Sequence, residues 1–353
     1  MEIQRSRSFA TPNRHFLTRR RVLAGTTGIL AATAAGRLAG AEMAQDAPPA
    51  ASPVVQTDMT GAVYAFQVGA FSCLAVSDGV SMFTDSLDFV FSGTPRAEAE
   101  RALTEAGLDP YALPIHHTAT LVDTGEHLVL IDTGIGPNIV PGEGLLIENL
   151  RGEGVAPEDI DVVVITHGHG DHIGGNADAG GNPTFANARY VMSQEDWDFW
   201  TDEPRVEEMI PVPDFRELLL SFVRAHLTPL EDRFELIGYD EEIVPGITSI
   251  AAQGHTPGHM ALLIESGGER LWIGGDFATH EITLPFPHFV GLPDVEPDRM
   301  IETRQRLLGR MADEGGLATF YHFGPFPSVG RVMAEGDAWR WEPVPEGAAT
   351  PTG

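Results

Sequence analysis

The stretch THGHGDHIGG, Thr166 to Gly175, places three histidines and an aspartate within six positions. It follows directly on DVVVIT, an apolar run that reads as a buried strand, and its glycines let the backbone turn sharply. His167 and His169 alternate outward from the strand end, so both can point into one site. Imidazole and carboxylate together suit zinc and similar divalent ions. A single tetrahedral ion does not easily take four donors from so tight a turn and stay open to substrate. Two ions sharing the loop resolve the crowding, and they demand partners elsewhere. GHTPGH offers His255, GGD offers Asp276 and YHFGPFP offers His322, each where an apolar run stops. The chain must therefore bring several distant strand ends to one spot.

The remaining pattern says how. VYAFQVG and FSCLAVSDG read as strands joined by a tight turn at Gly69, and TATLVDTG and HLVLIDTG as a second pair. TPRAEAERALTEAG, from Thr94, has a threonine cap, a proline at the first helical position and a terminal Gly107. NARYVMS is another strand, followed by a helix from Ser193 through Trp200. DFRELLLSFVRAH, Asp214 to His226, has helical spacing, and a last helix is predicted over roughly 297–313. An apolar strand ends in an acid beside glycine in each half, LVLIDTG and LWIGGD, which hints at two related halves. Strand runs flanked by helices imply layered α/β architecture, with helices on both outer faces of paired sheets.

Composition narrows the partners. The net charge is -29, and the chain contains no lysine. Such an acidic surface repels phosphate backbones, which argues against nucleic acid. The N-terminus differs: seven arginines precede Gly40, against Glu2 as the only acid before Glu42. Thr18-Arg19-Arg20-Arg21-Val22-Leu23 resembles the twin-arginine export signature. A short Ala/Gly-rich apolar run and the small-residue site Ala39-Gly40-Ala41 follow. Residues 1–41 thus read as a removable targeting segment rather than a spanning helix, which implies a periplasmic or secreted protein with no membrane contact after its removal. Residues 42–60 are Pro/Ala-rich and read as a linker, 61–342 as the folded domain, and 343–353 as a loose tail. The single cysteine, Cys73, excludes an internal disulfide and reads as a buried strand thiol.

The motif set LIDTG, THGHGDHIGG, GHTPGH, GGD and the late histidine of YHFGPFP resembles the metallo-β-lactamase superfamily across roughly 62–342. That resemblance implies a four-layer αββα sandwich. It implies one metal on His167, His169 and His255, and another on Asp171, His172 and His322, with Asp276 bridging. Asp132 and His259 become supporting residues behind the ligands. FQVGAFSCLAVSDG, NARYVMSQEDWDFW and HFGPFPSVGRVMAEGDAWRWEPV resemble the methyl parathion hydrolase group and related lactonases, which are often dimers. The expected cofactor is two divalent ions per chain, with zinc favoured, and the expected substrate a small molecule. The expected reaction is attack of a metal-bridging hydroxide on an ester, lactone or organophosphate triester, with Asp171 as proton carrier.

Bland readings compete at several positions. His280 and His288 rival His322 for the second metal. His116, His117, His127 and His226 read as surface or packing residues. Trp200, Phe215, Phe286 and Phe289 are the candidates for an apolar substrate pocket, whereas Trp197 and Phe222 read as helix-face core. Three other functions fit parts of the pattern: a β-lactamase, a mononuclear iron persulfide dioxygenase and a non-catalytic periplasmic zinc-binding protein. Asp276 stands where one β-lactamase class has cysteine, and the seven-residue donor set favours two ions over one.

Overall fold

Two periodicities overlie each other in the strands, and together they dictate the layering. A computed structural model describes residues 58–137 and 139–344. The chain divides into two units at Val55, and the first lies outside the described residues, with the targeting segment and most of the linker expected there. Seven strands pair in chain order as one sheet: β1 (Val63–Val68), β2 (Phe71–Phe83), β3 (Leu113–Asp123), β4 (Leu128–Ile131), β5 (Val162–Val164), β6 (Arg189–Ser193) and β7 (Phe234–Ile237). Seven more do the same in a second sheet: β8 (Glu242–Val244), β9 (Ile247–Ala251), β10 (Met260–Ser266), β11 (Glu269–Ile273), β12 (Leu317–Thr319), β13 (Val329–Glu335) and β14 (Ala338–Pro343).

Met260, Leu262 and Ile264 of β10 enter a core that also holds Val129, Ile131, Val162, Val164 and Val191 of the first sheet. The alternate residues Ala261 and Leu263 face the other way and join Trp272 and Ala318 in a second core. A strand buried on both faces needs apolar residues at every position, which is why these segments read as continuous runs. The helices in chain order are α1 (Arg96–Glu105), α2 (Leu146–Gly152), α3 (Gly170–Ile173), α4 (Gln194–Thr201), α5 (Glu203–Met209), α6 (Pro213–Phe222) and α7 (Pro297–Glu314). Helix α7 seals the second core with Met300, Leu307, Leu308 and Met311, an apolar stripe at helical spacing. It opens on Pro297 and stops at Gly315, whose φ of 69° suits only glycine without strain. Helix α4 packs on β6 and β7. The result is an αββα sandwich.

Several boundaries differ from the sequence reading. Helix α1 begins at Arg96 with Pro95 as its cap, because the Thr94 hydroxyl is engaged with the backbone of Val290 instead. The helix expected over Asp214–His226 is α-helical only to Phe222 and ends in a π turn, Val223–Leu227. The domain starts before the expected linker ends: Met59 is buried, and Asn149 bonds both its carbonyl and the N–H of Gly61. It also ends later, since β14 reaches Pro343 and the Val344 N–H donates to Val329. Cys73 is buried in β2, as expected.

The two halves share one device. Strand β4 is antiparallel to β3 and parallel to β5, and β11 is antiparallel to β10 and parallel to β12. Asp132 follows β4 and Asp276 follows just beyond β11, so the two recurring acids sit where the pairing changes sense.

Candidate metal centre

Each motif delivers its side chain from a strand end. Strand β5 hands over to His167 and His169, and the single turn α3 carries Asp171 and His172. From the second sheet, the loop after β9 supplies His255, the loop after β11 supplies Asp276, and that after β12 supplies His322. The histidine loop and the GHTPGH loop are pinned together by Asp196 of α4. Its Oδ2 accepts from the Gly168 N–H at 2.8 Å, and its Oδ1 accepts from the Gly258 N–H at 3.1 Å and from the Thr256 hydroxyl. A Cβ at Gly258 would lie 1.9 Å from the Asp196 nitrogen, so only glycine permits this approach.

The donor atoms fall into two sets. In the first, His169 Nδ1 lies 3.1 Å from His167 Nε2 and 2.9 Å from His255 Nε2. In the second, Asp171 Oδ2 lies 3.6 Å from His172 Nε2 and 3.3 Å from His322 Nε2. Asp276 Oδ2 touches both. It is 3.3 Å from His255 Nε2 and 3.9 Å from His167 Nε2 on one side, and 3.5 Å from His172 Nε2 and 3.0 Å from His322 Nε2 on the other.

The outer nitrogens explain why the inner ones are free to bind. His172 Nδ1 is bonded to Asp132 Oδ2 at 2.9 Å, and His255 Nδ1 to Asp294 Oδ1 at 2.8 Å. His322 Nδ1 donates to the His116 carbonyl at 2.8 Å. His167 Nδ1 meets Thr166 Oγ1 at 3.1 Å, and that hydroxyl donates to Asp132 Oδ2 at 2.9 Å. A ring nitrogen that donates outward leaves a lone pair facing inward, which is the form a metal takes. His259 Nε2 accepts from the Asp276 N–H at 2.9 Å and fixes the shared carboxylate's backbone. His172 Nε2 and Asp276 Oδ1 are buried without a hydrogen-bond partner. Such orphans are rare among buried polar atoms. Crowded lone pairs around two carboxylates fit divalent cations.

Electrostatics agree. Burial pushes His255 and His322 down, but Asp276 with Asp294, and Asp276 with Asp171, overrule it and hold them up at about 9 and about 10. The carboxylates thus favour positive charge at these two positions. Burial, reinforced by neighbouring imidazoles, keeps His167 and His169 well below the ordinary histidine range.

The rivals for His322 are elsewhere. His280 is buried with its Nδ1 accepting from the Ile282 N–H, and His288 pairs with Glu98 at the surface. The aromatics expected in the substrate pocket need correction. Trp200 is fully buried behind the histidine loop, with its indole N–H on Asp196 Oδ2 at 3.1 Å. Phe289 belongs to the core around α1, and Phe286 stacks on it with ring centroids 4.9 Å apart. The cavity over the donor sets, about 300 Å³, is walled by Phe215, as expected, and otherwise by Phe83, Phe89, Ile115, Leu219 and Phe222. Phe222 therefore lines the pocket rather than filling a core. His117, read as a packing residue, sits in this wall with its Nδ1 3.4 Å from Asp171 Oδ2. Asp196 and Asp294 also escaped the sequence reading, because neither lies in a histidine motif.

Among known proteins, the family profile of the metallo-beta-lactamase superfamily matches residues 112–336. An N-acyl homoserine lactonase of Bacillus thuringiensis is 25% identical over 226 residues, covering 57% of this chain and 79% of its own. The crystal structure of the hydrolase AbOPH, of the beta lactamase superfamily, superposes with a TM-score of 0.73 at 25% identity, covering 80% of this chain and 97% of that one. AidC, a dizinc quorum-quenching lactonase solved with a product, superposes with a TM-score of 0.71 at 23% identity, covering 81% and 98%.

Proposed function

The chain belongs to the metallo-beta-lactamase superfamily, and from that premise we propose that it is a dinuclear metal-dependent hydrolase of lactones, and related esters, that carry an apolar group. The observation that carries this reading is the convergence of two donor sets on Asp276 Oδ2 at the floor of an apolar cavity. His167, His169 and His255 would hold one ion, Asp171, His172 and His322 the other, and Asp276 both. Zinc suits the imidazole-carboxylate set. When bound, the ions supply a nucleophilic water at neutral pH and a Lewis acid for the carbonyl oxygen.

The chain's own residues supply the rest. Of the two carboxylates, the Asp171 side chain is 22% exposed and that of Asp276 only 3%. Asp171 is thus placed to take a proton from the attacking water and return it to the leaving oxygen. Phe83, Phe89, Phe215 and Phe222 receive the apolar part of the substrate and exclude water around it. The similarity to N-acyl homoserine lactonases supports a lactone as the substrate class. Export by the twin-arginine route is proposed on Thr18 to Leu23 and Ala39-Gly40-Ala41.

The test compares an aliphatic lactone with an aryl phosphotriester on metal-replete protein, each with and without chelator. A chelator-sensitive preference for the lactone is expected. The reverse preference would move the chain to organophosphate chemistry, and activity indifferent to chelator would refute metal dependence.

A further inference from the structure

His117 has the same arrangement as the histidines of the two donor sets, although it stands in the middle of β3 rather than at a strand end. Most of those histidines tie one ring nitrogen to an outer acceptor and turn the other inward. His167 does so through a hydroxyl, in the chain His167 Nδ1, Thr166 Oγ1, Asp132 Oδ2. His117 repeats this chain on another strand. Its Nε2 meets Ser81 Oγ at 2.9 Å, and Ser81 Oγ donates to Glu143 Oε1. The single hydroxyl proton goes to the carboxylate, so the serine oxygen accepts and His117 Nε2 carries the hydrogen. In the neutral ring His117 Nδ1 is then a lone pair. It is buried, has no hydrogen-bond partner, and lies 3.4 Å from Asp171 Oδ2.

A lone pair facing a carboxylate oxygen at that distance is repulsive unless a proton or a cation joins them. Donor atoms of His117, Asp171 and His322 all lie within 4.8 Å of one another. Alternation along the strand separates His117 from His116, whose contribution is its carbonyl, the acceptor for His322. Resting on the dinuclear reading, we propose that His117 is an additional donor to the second ion, beside Asp171, His172, His322 and Asp276. Ser81 and Glu143 hold its ring in the binding tautomer. The second ion would then have more protein donors than the first and be the more firmly retained of the two.

The experiment is a chelator-competition titration of zinc into metal-free wild type, His117→Leu and Ser81→Ala, with bound metal counted by mass spectrometry. The absorption of the cobalt-loaded forms is recorded in parallel. Expected is a loss of affinity for the second ion of about 10- to 100-fold in His117→Leu and a smaller loss in Ser81→Ala. The first ion should be unaffected, and the cobalt bands of the second step should change. If His117→Leu does not fold, Ser81→Ala decides alone, since it leaves the imidazole in place. Both ions bound with wild-type affinity and unchanged cobalt bands would overturn the assignment and leave His117 sharing a proton with Asp171. A wild-type protein that takes up fewer than two ions would instead overturn the dinuclear reading itself.

Discussion

Asp132→Asn isolates what one buried carboxylate does for both metals. Asp132 Oδ1 accepts from the Thr166 N–H at 2.8 Å. Its Oδ2 accepts from the Thr166 hydroxyl and from His172 Nδ1, both at 2.9 Å. The residue sits at φ 60°, where asparagine is tolerated, so the substitution changes chemistry and not backbone. An asparagine has one acceptor oxygen. Placed at the Oδ2 position, it keeps two of the three bonds and sets its NH₂ against the Thr166 N–H. Turned over, it keeps one and loses two. The better choice leaves two buried donor groups unpaired, the Thr166 N–H and the asparagine's own NH₂, at a cost of about 1–3 kcal/mol of stability each. The bonds it keeps are neutral and roughly half as strong as those to a carboxylate. Weakened support behind a ligand lowers metal affinity about 10- to 100-fold, or ~1.4–2.8 kcal/mol. His172 should suffer directly and His167 through Thr166, so both ions should weaken, the one at His172 more. Chelator competition reads the affinities, and thermal unfolding of the metal-free protein reads the stability term. Wild-type affinity for both ions would refute the reasoning.

Phe222→Ala removes part of the cavity wall and should raise KM for long-chain substrates about 10- to 100-fold with kcat little changed, the equivalent of ~1.5–3 kcal/mol of lost burial; a chain-length series with steady-state kinetics checks it. Trp200→Phe should leave chain-length preference alone and cost about 1–3 kcal/mol in thermal unfolding, because the indole N–H serves Asp196 and not substrate. Leu262→Ala, in the core between the sheets, should cost ~2–5 kcal/mol by denaturant titration. Replacing Arg19 and Arg20 by Lys should retain the protein in the cytoplasm on fractionation; undiminished export would remove the twin-arginine assignment.

What could be read in the sequence follows from how locally it is encoded. The seven donors lie in short motifs at strand ends, where glycines and polar residues interrupt apolar runs, so one dimension suffices to find them. His117, Ser81 and Glu143 meet only through pairing. A register shift in β2 between Ser77 and Gly79 sets Gly79 opposite His117, and Glu143 bridges back to Gly79 from a loop. The available signal was PIHHTATL, where polar rings stand in a strand otherwise apolar, but alternation alone cannot say which ring faces the metals. Trp200 failed for a related reason. Helical spacing identifies a buried face but not what lies beyond it, and Asp196 one turn earlier claims the indole. The layered fold was legible because buried strands leave uninterrupted apolar runs, while the ends of the domain, Met59 and Val344, are fixed by single long-range bonds that carry no local pattern.

Each donor set draws on both sheets. His167 and His169 come from the first half of the chain, His255 and Asp276 from the second. Asp171 and His172 come from the first, His322 and Asp276 from the second. The metals would therefore act as further cross-links between two halves that meet through apolar packing and through hydrogen bonds such as those of Asp196 and His322, in a chain whose one cysteine can form no internal disulfide. An ion held at a hundred times its dissociation constant adds ~2.7 kcal/mol to a folded state that alone binds it. Scarcity of metal then acts as a loosening of the seam between the halves, so that availability of the ion in the surroundings sets how long the molecule survives as well as whether it works.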